Sequence, residues 1–203
     1  MAEEPIPLGA DKDLPARADA LQNRAEIIAA ARNLFDSHSV DQVSMTQIAR
    51  EARVGKGTLY RHFRNKSDLC MALLDSKQKA LQNETLAYLR QSSAPSEDKL
   101  FWFLEQLCDY TEANINLLVE TVQGRLEQGA FELDHPAHHW QWLTIVGLLR
   151  SGSSGGDRDV EYLADVLYAL LDPRFYHFQR FVRGYDPQRI RAGLLQTARY
   201  LFY

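Results

Sequence analysis

Residues 44–69 read SMTQIAREARVGKGTLYRHFRNKSDL and contain the clearest structural pattern of the chain. Ser44 is followed by Gln47 three residues later, which is the spacing of a capping box, and it predicts a helix over Met45 to about Ala52. After a short turn, a second brief helix is expected over Lys56–His62. Two short helices joined in this way predict a helix-turn-helix, whose second helix can enter a DNA major groove.

Apolar and polar residues divide within this motif. The expected packing contacts between the two helices are Ile48, Ala49, Val54, Leu59 and Phe63. The residues left for the surface of the second helix are Lys56, Thr58, Tyr60 and His62. Lysine donates to guanine edges or phosphates, threonine bonds a base or touches a thymine methyl, and tyrosine donates to phosphate. These residue types in this order indicate contact with DNA.

Two further residues fit contact with a phosphate backbone. Gly57 allows close approach of the protein backbone to DNA, because it has no side chain. Lys66 stands at the expected start of a fourth helix, where an ammonium group and N-terminal amides can hold a phosphate together. Both residues therefore join the predicted DNA-binding surface.

Charge is unevenly distributed along the chain. The formal net charge of the 203 residues is −4. Residues 22–66 carry eight Lys and Arg against four Asp and Glu, a net +4, while residues 1–21 carry −3 and the remainder −5. A small basic region on an acidic body indicates that only one part of the protein meets a polyanion.

The rest of the chain has helical periodicity throughout, and we find no alternating strand pattern. Helices are expected at about 22–37, from Asn65 or Ser67 to about 90, at 96–111 and 114–127, and at 138–150, 159–171, 174–183 and 187–202. Three prolines and several acids predict a disordered tail over residues 1–20. SGSSGGD, residues 151–157, predicts a flexible loop.

Several features bear on compartment and cofactors. Cys70 and Cys108 stand far apart without a partner at metal-ligand spacing, so two reduced buried thiols are favoured over a single disulfide. No apolar stretch is long enough to span a membrane, and the N-terminus lacks a signal pattern, so a cytoplasmic protein is expected. Asp134 lies near three histidines, His135, His138 and His139, but a second ligand pair is missing, and we expect no metal.

The N-terminal pattern resembles the TetR family of bacterial repressors. The resemblance rests on GTLYRHFRNKSDL, preceded by SMTQIARE and by the helix RAEIIAAARNLF, and covers about residues 22–70. It implies an all-α protein with a helix-turn-helix DNA-binding domain over 21–67, the motif itself at about 45–64. An effector-binding and dimerisation domain over 68–203 would follow. The implied function is a transcriptional regulator, with repression favoured, that binds a palindromic double-stranded operator as a homodimer.

Site residues follow by similarity. Ser44 and Tyr60 are expected on phosphates, and Lys66 on the DNA backbone. The expected groove-facing set is Thr46, Lys56, Gly57, Thr58 and His62. The chain departs from the family pattern twice: Arg53 stands where the turn usually has glycine, and Gly55 where serine commonly caps the recognition helix. Arginine with a positive φ costs about 1 kcal/mol, and glycine is the weaker cap.

The resemblance also implies a ligand pocket and a dimer interface in the C-terminal part. The candidate ligand residues are Trp102, Phe103, Leu107, Tyr110, Thr111 and Trp142, whose apolar and aromatic character favours a small hydrophobic or aromatic effector. The candidate dimer residues form two apolar stripes, Leu163, Leu167 and Leu170 in one helix and Ile190, Leu194, Leu195, Ala198 and Leu201 in the last. Such stripes are equally consistent with the core of a single subunit.

Two other function classes were weighed. A helical ligand- or protein-binding module, whose helix-turn-helix no longer reads DNA, draws support from Arg53, Gly55 and the acidic net charge. A small helical enzyme has no support, because no nucleophile–base arrangement, carboxylate pair or glycine-rich phosphate loop is present in the sequence. The sequence therefore favours a DNA-binding regulator without a cofactor.

Overall fold

The computed structural model describes residues 13–127, 136–152 and 158–202, and every regular element in these ranges is helical. The predicted all-α fold class is confirmed. The chain divides into two compact units, Met1–Arg64 and Asn65–Tyr203. The functional boundary after residue 67 stays a prediction.

The first unit contains three α-helices. They are α1 (Asp13–Ser37), α2 (Met45–Glu51) and α3 (Lys56–His62), with a short 3-10 turn at Val40–Gln42 before α2. Residues from all three helices and from the turn form its buried core: Ile27, Ala30, Ala31, Val40, Val43, Ile48, Ala49, Ala52, Leu59 and Phe63. The guanidinium of Arg24 lies 5.2 Å from the Phe63 ring centroid and covers one side of this core.

The start of α1 corrects the expected tail. The sequence predicted a tail through residue 20, yet the helix begins at Asp13 and includes Pro15. Proline is tolerated in the first turn of a helix, because the backbone N–H groups there have no partner within the helix. Residues 1–12 of the expected tail lie outside the described residues.

The turn between α2 and α3 has the backbone of a glycine turn. Arg53 has φ +55°, the left-handed region in which glycine is usual. Its N–H donates to the Arg50 carbonyl (3.1 Å), and the Val54 N–H donates to the Ala49 carbonyl (3.0 Å). These two bonds form a Schellman motif, which satisfies carbonyls at the end of α2. The motif is therefore kept although arginine replaces glycine.

The second unit contains the remaining described helices. They are α4 (Lys66–Gln91), α5 (Ser96–Glu127), α6 (Pro136–Gly152), α7 (Val160–Ala169), α8 (Pro173–His177) and α9 (Pro187–Phe202), with a π-helical segment at Phe178–Val182. Asn65 caps α4 by accepting from the Asp68 N–H at 2.8 Å. Residues 153–157 of the expected loop lie outside the described residues. None of the described helices is long and apolar enough to cross a membrane.

One helix, α5, spans the two helices expected at 96–111 and 114–127. It passes through Asn114. Asparagine disfavours a helix because its side chain can hydrogen-bond nearby backbone groups in non-helical conformations. Here the amide donates to the Tyr110 carbonyl (2.8 Å) and accepts from Lys77 Nζ (2.6 Å). The side chain is satisfied where it is buried, and the helix continues.

The two apolar stripes expected at a dimer interface are used inside the subunit. Leu167 and Ala198 have no exposed surface, and Leu194 and Ile190 are 5% and 7% exposed. The half-buried members pack against the same core: Leu163, Leu170, Leu195 and Leu201. These stripes cover α5 and one another, because α9 packs on both α5 and α7. The four buried members are therefore core residues of the subunit, while the four half-buried members keep part of their surface exposed, and a role for them in a dimer stays a prediction.

The start of α4 touches α5 very closely. A Cβ on Gly124 would lie 2.3 Å from the Cβ of Ser67, so only glycine fits at this position. Ser67 is 2% exposed, and its hydroxyl donates to the Thr121 carbonyl at 3.3 Å. Beside it, Lys66 Nζ lies 3.6 Å from a Glu120 carboxylate oxygen. We call this contact of Lys66 and Ser67 with Glu120, Thr121 and Gly124 the α4–α5 seam.

Both thiols are buried and free. Burial raises the pKa of Cys70 to about 12, with a further contribution from the Glu120 carboxylate. Burial likewise raises the pKa of Cys108 to about 11. Since the thiolate is the reactive form, neither side chain is a nucleophile near neutral pH.

Replacing Arg53 with glycine should stabilise the protein. The left-handed conformation costs arginine about 1–2 kcal/mol, which exceeds the roughly 0.4–1 kcal/mol that glycine adds to the unfolded state's conformational entropy. We expect Arg53→Gly to raise the free energy of unfolding by up to about 1 kcal/mol in urea titrations. The matched control is Arg50→Gly, within α2, which should lower it by about 1 kcal/mol. Destabilisation by both variants would contradict the argument.

Adding a methyl group at the α4–α5 seam should destabilise the protein. Gly124→Ala overpacks the contact with Ser67, and such strain typically costs about 1–3 kcal/mol. The control is Gly147→Ala in α6, where a new Cβ meets no atom within 4 Å. That variant should raise stability by up to about 1 kcal/mol, because alanine is the better helix former. Equal melting temperatures for the two variants would refute the close contact.

Candidate nucleic-acid interface and cavity

Helix α3 has polar groups on its exposed side and packs its apolar side into the core. Leu59 is completely buried and Phe63 is 3% exposed, whereas Lys56, Gly57 and Tyr60 lie on the surface. Tyr60 is 50% exposed although it is a large aromatic residue. The helix contains no Asp or Glu. Its outer face therefore offers an ammonium group, a phenol hydroxyl and a bare stretch of backbone.

Gly57 has no structural reason to be glycine. A Cβ at this position would meet nothing within 4 Å, and φ is not positive. Glycine inside a helix costs about 0.5–1 kcal/mol relative to alanine. The open space beside Gly57 is therefore available for the close approach of another molecule. Gly55, in contrast, is the N-cap of α3 and makes no side-chain capping bond.

The capping box at the start of α2 is present. The Gln47 N–H donates to Ser44 Oγ (3.2 Å), and the Ser44 N–H donates to Gln47 Oε1 (2.8 Å). The Ser44 hydroxyl also donates to Gln47 Oε1. Both donors of Ser44 thus have partners within the protein, so its demonstrated role is to cap the helix. Thr46 is exposed next to it, and Thr58 is half-buried on α3.

Two expected DNA contacts are placed differently. His62 is half-buried, and its Nε2 is buried without a hydrogen-bond partner among the described residues, so this nitrogen is not exposed in the free protein. Lys66 belongs to the α4–α5 seam, where its side chain is 19% exposed and pairs with Glu120. Sequence periodicity could not show this pair, because the two residues lie 54 positions apart.

A cavity of about 380 Å³ lies within the second unit, enclosed by α4, α5, α6, α7 and the start of α8. Its apolar lining consists of Met71, Leu74, Leu107, Leu118, Val122, Ala137, Ala169, Leu171 and Pro173. Its polar lining consists of Asp75, Gln78, Tyr110, Thr111, Thr121, His138, Gln141, Asp165, Tyr168 and Asp172. A cavity of this volume that combines apolar side chains with convergent polar groups is typical of small-molecule sites.

A chain of hydrogen bonds crosses one wall of the cavity. His138 Nδ1 lies 2.5 Å from the Tyr168 hydroxyl, which donates to Gln141 Oε1 at 3.0 Å. Gln141 Nε2 then donates to Gln78 Oε1 at 3.2 Å. The last group, Gln78 Nε2, is buried and has no acceptor among the described residues. The wall thus ends in a donor that a bound molecule can satisfy.

The structure separates the six candidate ligand residues into two groups. Leu107, Tyr110 and Thr111 line the cavity. Phe103 has no exposed surface and packs edge-on against Trp140 in the core. Trp102 stacks on Tyr88, with ring centroids 4.0 Å apart, and Trp142 donates its indole N–H to Asp165 at 2.7 Å. The last three side chains are therefore absent from the cavity lining, because other side chains of the subunit hold them.

Sequence reasoning missed the polar chain of the cavity wall. One signal was available: Gln141 is followed by Ile145, Val146 and Leu149, all buried, so it begins the apolar face of α6 as a polar residue. Gln78 and Tyr168 gave no such signal. Of the four residues considered as metal ligands, for which no metal was expected, Asp134 and His135 lie outside the described residues. His139 stacks on Trp142, while His138 contacts Tyr168.

Comparisons with known proteins match the first unit most specifically. Residues 27–73 match the family model described as bacterial regulatory proteins, tetR family. An HTH-type transcriptional regulator of Staphylococcus aureus strain bovine RF122 / ET3-1 is 50% identical over 58 residues, which is 29% of this chain and 31% of the relative. One from strain USA300 is 54% identical over 54 residues, or 27% and 29%. The chain thus matches about a third of the length of its curated relatives.

Solved structures match over most of the chain. Thermus thermophilus FadR, a TetR-family repressor in complex with lauroyl-CoA, has a TM-score of 0.67 and 20% identity, covering 86% of this chain and 92% of that one. A TetR-family regulator from Streptomyces coelicolor has a TM-score of 0.59 and 22% identity, covering 89% and 94%. These similarities extend the likeness of fold to the second unit. The sequence of residues 27–73 thus matches the tetR family model, and the fold of both units is similar to that of TetR-family regulators.

Proposed function

We propose that this chain is a cytoplasmic DNA-binding transcriptional regulator, a homodimeric repressor that leaves its operator when a small apolar effector occupies the cavity. The observation that carries the proposal is the outer face of α3. Lys56, Gly57 and Tyr60 are exposed there, while Leu59 holds the helix in the core. The similarity of the first unit to transcriptional regulators supports it. Since those relatives are not enzymes, a catalytic role is not proposed.

The effector response would pass through α4. This helix supplies Met71, Leu74 and Gln78 to the cavity, and it begins four residues after α3 ends. A ligand shifts a conformational equilibrium only by its differential affinity for the two states. A coupling of about 1–3 kcal/mol between effector and DNA would lower DNA affinity roughly 5–150-fold. An occupant that fits one position of α4 better than another is sufficient for this response.

The proposed dimer surface is the segment from α8 to the end of the π-helical turn. Phe175, Phe178, Phe181 and Val182 are 41%, 42%, 56% and 69% exposed, a concentration of apolar surface that is unusual for a free monomer. The segment is held rigidly, because Arg180 binds the Glu112 carboxylate of α5 through both Nε (2.8 Å) and Nη2 (2.9 Å). A second copy is the proposed occupant, since a palindromic operator needs two recognition helices about 34–36 Å apart.

DNA binding is tested by fluorescence anisotropy on the DNA upstream of the protein's own gene, at two salt concentrations, with a scrambled duplex as reference. We expect tight, sequence-dependent binding that weakens steeply with salt through counterion release. Lys56→Ala/Tyr60→Phe should lower affinity by roughly 100-fold, because each lost contact costs about 1–3 kcal/mol. If neither this DNA nor any genomic fragment is preferred over the scrambled duplex, the alternative of a binding module that no longer reads DNA replaces the proposal.

Gly57→Ala sharpens the same test, because it should move stability and DNA affinity in opposite directions. Alanine should stabilise α3 by about 0.5–1 kcal/mol. Its methyl group would overpack a close protein–DNA contact at about 1–3 kcal/mol, so affinity should fall roughly tenfold. A variant that is more stable yet binds DNA as well as the parent would remove Gly57 from the interface.

The dimer is tested by sedimentation velocity on Phe181→Glu/Val182→Glu. Two buried carboxylates would be uncompensated at the proposed interface, so we expect a monomer whose operator affinity falls by roughly 100-fold or more, since one half-site is lost. Leu143→Glu is the control, because Leu143 is an exposed leucine (48%) on α6, away from the segment. A Phe181→Glu/Val182→Glu protein that stays dimeric would place the interface elsewhere.

A further inference from the structure

Three carboxylates line the cavity, and they differ in how their charge is compensated. Asp172 binds Arg174 through both oxygens and caps α8, so its charge is neutralised within the subunit. Asp165 accepts only the neutral indole N–H of Trp142 (2.7 Å), which leaves its charge in place. Asp75 has no ion-pair partner among the described residues. Two uncompensated negative charges therefore stand at the cavity.

The position of these two charges favours a ligand that reaches from the surface inward. Asp75 on α4 and Asp165 on α7 are exposed, so both carboxyl groups lie where the cavity meets solvent. The carboxylate of Asp75 nevertheless acts on the interior, because burial and then its charge raise the pKa of Tyr110 above the ordinary value. Among the described residues of the lining, none is Lys or Arg. The two lining side chains that carry a charge without a cationic partner are thus both acidic.

The buried end of the cavity offers a different group. Gln78 Oε1 accepts from Gln141, so the Gln78 nitrogen is left as a buried donor that no described residue satisfies. An unsatisfied buried donor costs about 1–3 kcal/mol, and a ligand oxygen would relieve that cost. Tyr110 and Tyr168 also line the cavity, and tyrosine rings attract cations.

We infer that the effector is an organic cation: an apolar body that carries a protonated or quaternary amine for Asp75 and Asp165, and a carbonyl or ether oxygen for Gln78. This inference rests on the proposed function, because it names the chemical class of the proposed effector. The inference also distinguishes this cavity from an acyl-CoA site, because the two carboxylates would repel the negatively charged phosphates of an acyl-CoA.

The test compares two isosteric esters by isothermal titration calorimetry on the full chain without DNA. The cation is 2-(trimethylammonio)ethyl benzoate, and the neutral isostere is 3,3-dimethylbutyl benzoate, in which carbon replaces the charged nitrogen. At low salt we expect the cation to bind roughly 5- to 50-fold more tightly than the neutral ester. This range follows from the attraction of one or two rim charges at an effective dielectric constant between those of water and protein. The preference should shrink at about 0.5 M NaCl, because rim charges are screened.

Asp75→Asn/Asp165→Asn should remove the preference and leave the affinity for the neutral ester within about twofold, since asparagine keeps an acceptor for Trp142 and adds no bulk. The control is Glu84→Gln, an exposed residue of α4 outside the lining. It lies nine residues from Asp75, about 13 Å along the helix, and this control is compared with the parent at physiological salt, where the screening length is about 8 Å. The preference should therefore survive in this control.

Four outcomes would overturn the inference: equal binding of the two esters, binding of neither, a preference that persists in Asp75→Asn/Asp165→Asn, or tighter binding of lauroyl-CoA than of the cation. The DNA titration described above is performed on the same preparation. If DNA binding holds while the cation preference fails, the effector class alone is wrong. If the cation binds as expected while DNA does not, the regulatory proposal fails and the cation site stands.

Discussion

The contact of Ser67 with Gly124 is the constraint on which the second unit depends. It allows α4 to approach α5 at a distance that no side chain at position 124 would permit. Thr121 then has two roles: its carbonyl accepts the Ser67 hydroxyl, and its side chain lines the cavity. The residue that anchors the start of α4 is therefore also a wall of the site. A molecule in the cavity would contact the residue whose carbonyl accepts the Ser67 hydroxyl.

In the first unit, hydrogen bonds at the helix ends stabilise helices that are too short to be stable on their own. Helices α2 and α3 have seven residues each, far fewer than the roughly 12–15 at which isolated helices become even marginally stable. The Ser44–Gln47 capping box begins α2, and the Schellman bonds around Arg53 end it. Leu59 and Phe63 then hold α3 in the core. Because each end is fixed locally, the outer face of α3 is free of any structural task.

The difference between features set by neighbouring residues and features set by distant residues explains what the sequence could predict. Cap and turn chemistry acts over three or four residues, so the limits of α3 were readable, and Asn65 was one of the two residues expected to start α4. Periodicity identifies which face of a helix is apolar, but not what covers it, and the stripes through Leu167 and Ala198 proved to face their own subunit. The continuity of α5 depends on Lys77 meeting Asn114, 37 residues away. The cavity draws on five helices, so half of its expected residues were misplaced, and Gln78 and Tyr168 gave no signal.

Two glycines within helices show how internal and external constraints differ. Gly124 is required by the fold, because an added Cβ would overlap Ser67. Gly57 is required by nothing in the described structure, since the same addition meets open space on an exposed helix face. Local rules that are broken without internal compensation are expected at functional positions. Arg53 shows that this chain tolerates an unfavourable residue in the turn directly before α3, yet α3 itself keeps a helix-weakening glycine. The constraint that we propose at position 57 therefore lies outside the protein, and a close-approaching DNA backbone would supply it.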